Sequence, residues 1–161
     1  MKSFVVDVNV ATVANGGVCQ ADVACELACA QKLLQVRENR IVIDAGGQIM
    51  SEYRRYLSMR GQPGAGDVFM VWISQNQSTP ERCERVSVTE NADRGFDEFP
   101  DDPSLSKFDP KDRKYVAVAL GSRYSPHILN AVDSDWRNGD ESLKRHGVVV
   151  EQLCPQCLKG S

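Results

Sequence analysis

Apolar positions along this chain change their spacing several times. Phe4-Val5-Val6 is a short continuous apolar run that breaks at Asp7, as a buried strand does. From Ala21 to Val36 the period lengthens, and Val23, Leu27, Ala30 and Leu34 fall on one face of a predicted helix. Arg40 to Ile43 is a second β-branched run, ending at Asp44, and Ala45-Gly46-Gly47 follows as a turn. Ile49, Tyr53, Tyr56 and Leu57 form a helical stripe between Gln48 and Arg60, which Gly61-Gln62-Pro63-Gly64 is expected to stop. A third helix is predicted over Asp67 to Asn76, with Val68 and Trp72 inward, and a short strand over Arg85 to Val88. The polar stretch from Asn91 to Leu105, with its prolines and acids, reads as an irregular surface loop. Asp109-Pro110 then caps and opens a helix through Leu120. Ile128 to Val132 is a strand ending at Asp133, Asp140 to Gly147 a short helix, and Val148 to Val150 a last strand.

Alternation of this kind predicts an α/β fold: one three-layer α/β/α domain spanning residues 1–161, with a central parallel sheet of four to five strands. In such folds the working crevice lies beyond the carboxyl ends of the strands. Acids that directly follow strands therefore attract attention.

Composition narrows the picture only slightly. Hydrophobic residues make up 42% and charged residues 25% of the 161, ordinary for a globular chain. No apolar stretch approaches the roughly 18 to 20 residues of a membrane span. The opening MKSFVVDVNV is too short and too acidic for a secretory signal, so the expected compartment is the cytoplasm, with its thiols reduced. On that ground the six cysteines are not read as a disulfide framework. Cys25 and Cys29 are helical neighbours and read as small core residues. Cys154-Pro155-Gln156-Cys157 is a lone CxxC whose spacing matches no second pair. His127 and His146 have no ligand-like spacing. A net charge of −3 does not suit a protein that merely coats nucleic acid, but carboxylates that bind cations would subtract from the count.

Asp7 and Asp133 each follow a predicted buried strand and would reach the same sheet edge. Glu52 lies at the margin of the second helical stripe, and Asp112 sits at the start of the helix that Asp109 caps. Asp133-Ser134-Asp135 offers a second acid two positions on, and Asn9 stands where it can orient Asp7. Gathered carboxylates repel one another and take up protons unless a cation relieves them. Mg²⁺ or Mn²⁺, with a preference for oxygen ligands, would do so and would also bridge to substrate phosphate. Asp7, Glu52, Asp112 and Asp133 are the candidate catalytic acids, and the same four with Asp135 the candidate metal ligands. Each acid alone also has an ordinary reading, as a helix cap, a turn former or a solvated surface group.

These segments resemble the PIN-domain nucleases over nearly the whole chain. FVVDVN is similar to that family's first strand with its Asp and following Asn, at Asp7 and Asn9. IMSEYRRYL resembles the helix bearing the second acid, at Glu52, and FDPKDRKYVAVAL the helix bearing the third, at Asp112. ILNAVDSDW resembles the strand and loop that end in the fourth acid, at Asp133 with Asp135 beside it, and HGVVVEQLCP the closing strand. The chain departs from the family in lacking a Thr or Ser directly before that acid, and in the length of the Asn91 to Leu105 loop. The resemblance implies a parallel sheet flanked by helices, Mg²⁺ or Mn²⁺ dependence, and endonucleolytic cleavage of single-stranded RNA. Many bacterial relatives are toxins, which implies an antitoxin or other protein partner, or a homodimer, with no membrane involved.

Asn9, Arg54, Arg55, Lys111 and Arg113, with Lys114, are the expected phosphate-binding groups, though a solvated helix face would look the same. Trp72 reads as core; Trp136 would either stack on a base or be buried. Two other functions compete. One is a catalytically silent PIN-like module that binds RNA or protein. The other is a doubly wound phosphotransfer or hydrolase fold, for which DVNVATVANGG lacks the Asp-x-Asp or Gly-rich loop.

Overall fold

A computed structural model describes residues 1–61 and 64–158; Gln62 and Pro63, half of the expected helix stop, lie outside the described residues. Strand β1 (Ser3–Val6) is buried along its length and ends at Asp7, whose side chain caps helix α1 (Val8–Ala14) by accepting from the Asn9 N–H. The sequence pattern does not mark α1 as a helix. Its valines are poor helix formers, but Val10, Ala11 and Val13 are fully buried, and packing overrides propensity.

Helix α2 (Val23–Arg37) begins on an Asp22 cap. Its buried face is Cys25, Cys29, Leu33 and Val36, not the expected stripe: Val23 is 71% exposed and Leu27 and Leu34 are each 58% exposed. Two apolar stripes share this helix at the same period, and periodicity alone does not say which one the neighbours cover. Strand β2 (Arg40–Asp44) leads through Gly47, whose φ of +85° suits glycine, into helix α3 (Gln48–Tyr56). This helix ends before Arg60, and Tyr56 is exposed instead of joining the stripe. Helix α4 (Ala65–Asn76) buries Gly66, Phe69, Met70 and Ile73; Val68 points outward, and Trp72 is half-buried, stacked on Phe69. A Cβ at Gly66 would collide with the Ala11 carbonyl, so glycine is what lets α4 approach α1.

Strand β3 (Cys83–Val86) starts two residues before the predicted run. The expected surface loop is partly core: it holds a two-stranded hairpin, β4 (Glu90–Asn91) with β5 (Gly95–Phe96), and it buries Phe96, Phe99 and Leu105. A 3₁₀ turn at Pro110–Asp112, capped by Asp109, opens helix α5 (Arg113–Gly121) as expected. Strand β6 (His127–Asn130) stops short of Val132. Helices α6 (Ser134–Asn138) and α7 (Asp140–Arg145) then precede strand β7 (Val150–Gln152).

The five longer strands form one parallel sheet in the order β3-β2-β1-β6-β7. Helices α1, α2 and α4 pack on one another, while α5 packs on β1, β2 and β6. No helix among the described residues is long and apolar enough to cross a membrane.

The cysteine expectation is corrected. Cys25 and Cys154 form a disulfide across a sequence separation of 129. The cause is tertiary: the segment after β7 turns back onto the first turns of α2, which no local spacing reveals. Cys29 is buried beside this bond, and burial, then the nearby Cys157 thiol, push its own thiol up to about 12.

Candidate metal centre

From β1 the chain moves outward through β2 to β3, then returns to β6 on the opposite side of β1. The order reverses there, between β1 and β6, the position beyond whose strand ends open α/β sheets usually carry their site. Asp7 stands at the end of β1, and Asp133 follows β6 by three residues as the cap of α6. Asp112 arrives from the 3₁₀ turn ahead of α5. Oxygens of Asp7, Asp112 and Asp133 lie within 4.8 Å of one another. Asp109, Asp112 and Asp135 form a second trio within the same limit, so Asp112 belongs to both.

Asp7 is fixed on both oxygens: Oδ1 accepts from the Asn9 N–H at 2.9 Å, and Oδ2 from the Trp136 indole at 2.7 Å. Asp133 Oδ1 accepts from the Asp135 N–H at 2.9 Å. Asp112 is 8% exposed, and its Oδ2 is buried without a hydrogen-bond partner. Burial dominates the titration of this cluster. It raises Asp7 to about 6, with Asp133 adding repulsion against the hydrogen bonds from Asn9 and Trp136. It raises Asp112 to about 9, reinforced by Asp7 and Asp133. Asp135 is raised as well, by desolvation and then by Asp133 and Asp109. An orphaned buried carboxylate oxygen among mutually repelling acids fits a hard divalent cation, whose charge would remove both penalties.

Asp44 is an instructive contrast. It also ends a strand, but its two oxygens accept the Gln48 and Ile49 N–H groups at 2.8 Å each, so it is a helix cap.

Other expected residues fall elsewhere. Glu52 stands beside the cluster, outside both trios: Tyr115 donates to its Oε1 at 2.5 Å and Lys114 to its Oε2 at 3.2 Å. Arg113 is not available to a phosphate. It is buried, donates to the backbone carbonyls of Arg94, Ser106 and Phe108, and lies over the Phe99 ring. The Asn9 side chain is also occupied, donating to Asn130 Oδ1 and accepting from the Ala131 and Val132 N–H groups. Trp136 is fully buried, so it cannot stack on a base. Arg54, Arg55 and Lys111 are exposed, and an open groove is lined by Glu52, Arg55, Lys111 and Lys114.

Several working residues escaped the sequence. Asn130, fully buried at the end of β6, donates to the Asp133 carbonyl and to Gln152 Oε1 and accepts from the Asp133 N–H. Tyr115 links Glu52 to the Val8 N–H. Asp109 is cap and cluster member together. An Asn within an apolar strand was the one available signal, since a buried amide needs partners.

Comparison with family models, with curated proteins and with solved structures finds no match for this chain.

Proposed function

We propose that this protein is a divalent-metal-dependent nuclease of the PIN-like kind, acting on single-stranded RNA. The observation that carries the reading is the convergence of Asp7, Asp112 and Asp133, from three separate elements, within 4.8 Å at the sheet's switch point. In this reading these three acids hold Mg²⁺ or Mn²⁺, with Asp135 and Asp109 alongside. When bound, the ion would supply a Lewis acid at the phosphate oxygens and a water of lowered pKa.

The chain's own groups do the rest. Asn9 and Trp136 hold Asp7 in one rotamer, and Asn130 holds the backbone of Asp133, so the carboxylates meet substrate already oriented. Arg55 and Lys111 line an open groove with Glu52 and Lys114, and in this reading they bind successive phosphates. Glu52 keeps Lys114 beside that path.

The test is cleavage of end-labelled single-stranded RNA with Mn²⁺, with a chelator as control and Asp7→Asn and Asp133→Asn as variants. Cleavage that chelation and both substitutions abolish supports the reading. Cleavage that persists in chelator, or none by the parent under any divalent ion, removes it. One observation favours a catalytically silent RNA- or protein-binding module instead: Glu52 is taken up by Tyr115 and Lys114, so one acid of the expected four stands apart from the ion. That module would bind RNA in the same assay without cutting it.

A further inference from the structure

The CxxC near the end of the chain has the partner pair that sequence spacing hid. Cys25 and Cys29, one helical turn apart on α2, face Cys154, and the three sulfurs lie within 4.8 Å of one another. Cys25, Cys29 and Cys154 are fully buried. Cys157 stands outside the trio but next to it. The Cys157 N–H donates to the Cys154 carbonyl at 2.9 Å and closes the Pro155–Cys157 turn, and its side chain lies beside Asp22, the cap that holds the Cys25 N–H. We propose that in the reduced protein Cys25, Cys29, Cys154 and Cys157 form a structural tetrathiolate site for zinc.

Geometry and ligand count support this. Tetrahedral zinc with bonds of about 2.3 Å needs sulfurs about 3.8 Å apart, and Cys29 and Cys154 are 3.9 Å apart. A structural zinc site is closed and takes four protein ligands; here three are sealed from solvent and the fourth lies on the short Pro155–Cys157 turn that follows Cys154. A disulfide employs only two of the four and leaves the Cys29 thiol buried against it without a role. Loading proceeds in two balanced steps. A dithiol reductant passes two electrons and two protons to Cys25 and Cys154 and is itself oxidised to a disulfide. Zn²⁺ then displaces the four thiol protons to solvent and forms four zinc–sulfur bonds.

The site would clamp α2 to the end of the chain, close to the acids. Cys154 comes two residues after Gln152, which accepts from Asn130, and the Leu153 N–H donates to the Asn130 carbonyl at 2.9 Å.

The experiment purifies the full chain from zinc-supplemented cells under anaerobic, phosphine-reduced conditions, and measures zinc by elemental mass spectrometry and thiolate coordination by Co²⁺ substitution. Asp7→Asn with Asp133→Asn is used as background, so that the carboxylates cannot hold the ion. About one zinc per chain with sulfur-to-cobalt charge-transfer bands is expected. Cys29→Ser should abolish both, Cys157→Ser should weaken retention at least tenfold, and Cys19→Ser should change nothing. Circular dichroism checks that each variant is folded, and Cys157→Ser, at the half-exposed position, keeps the test valid if Cys29→Ser does not fold. A folded, reduced chain without zinc overturns the proposal. So does zinc retained by both thiol variants, or a persistent Cys25–Cys154 disulfide with Cys29 and Cys157 free.

Discussion

The Trp136 indole donates to Asp7 Oδ2 at 2.7 Å, joining positions 129 residues apart, deep in the protein. The bond holds the first acid of the candidate site still, and it gives a buried carboxylate one of its two strong donors. Trp136→Phe keeps an aromatic ring against Phe108 and Tyr115 but removes the N–H. The expected cost is about 1 to 3 kcal/mol, the usual penalty for a buried polar group left short of a partner. Urea unfolding measures it, and divalent-ion affinity should fall in the same variant. Unchanged stability together with unchanged affinity would show that the indole neither supports the fold nor positions Asp7.

Asp112 should make the metal-free fold sensitive to pH. Its carboxyl is raised to about 9 by burial, then by Asp7 and Asp133, whereas in the unfolded chain it titrates near 3.9. Between those values the folded chain keeps a proton that the unfolded chain has released. Folding stability therefore falls as pH rises across that window, by up to about 1.4 kcal/mol per pH unit for one proton. Asp112→Asn removes the effect. With chelator present, the variant should be more stable than the parent at about pH 8 and little different at about pH 4, as read by urea midpoints. A variant equally destabilised at both would mean that Asp112 is a structural acid.

Asn130→Ala should act on the site from beneath. It frees the Asp133 backbone, the Asn9 amide nitrogen and Gln152 together. Supporting groups of this kind typically change metal affinity by about 10 to 100-fold. Isothermal titration with Mn²⁺ tests this, and an affinity within twofold of the parent would contradict the assigned role.

Arg55→Ala combined with Lys111→Ala removes two groove cations without touching the acids. RNA binding should weaken, and its dependence on salt concentration should flatten by about one to two units of slope. Metal affinity should stay at the parental level. A salt slope that does not move would mean that RNA takes another path.

Much of this architecture was readable from spacing. β1, β2 and the Asp109-capped helix stood out because each combines an apolar period with a punctuating residue. The strand-end position of Asp7 and the helix-start position of Asp112 followed from the same marks. What escaped was decided by contacts between distant segments. α1 is helical because it is enclosed, despite its valines. α2 carries two apolar stripes and turns inward the one bearing the cysteines. Arg113 reads as a phosphate ligand because its carbonyl acceptors, Arg94 in the loop read as surface and Ser106 and Phe108 just beyond it, carry no local sign of pairing with it. The bonds that join Trp136 to Asp7 and Asn130 to Asn9 depend on β6 lying beside β1, a pairing that no local pattern marks.

The hairpin turn between β4 and β5 divides the acids into two sets. Asp7 and Glu52 precede it; Asp109, Asp112, Asp133 and Asp135 follow it. A single protease nick at exposed Ala92–Asp93 would thus yield two fragments, neither owning the Asp7, Asp112 and Asp133 trio, yet joined by the β1–β6 ladder and the Trp136–Asp7 hydrogen bond. The trio of Asp7, Asp112 and Asp133 therefore exists only where the two halves of the chain are folded against each other.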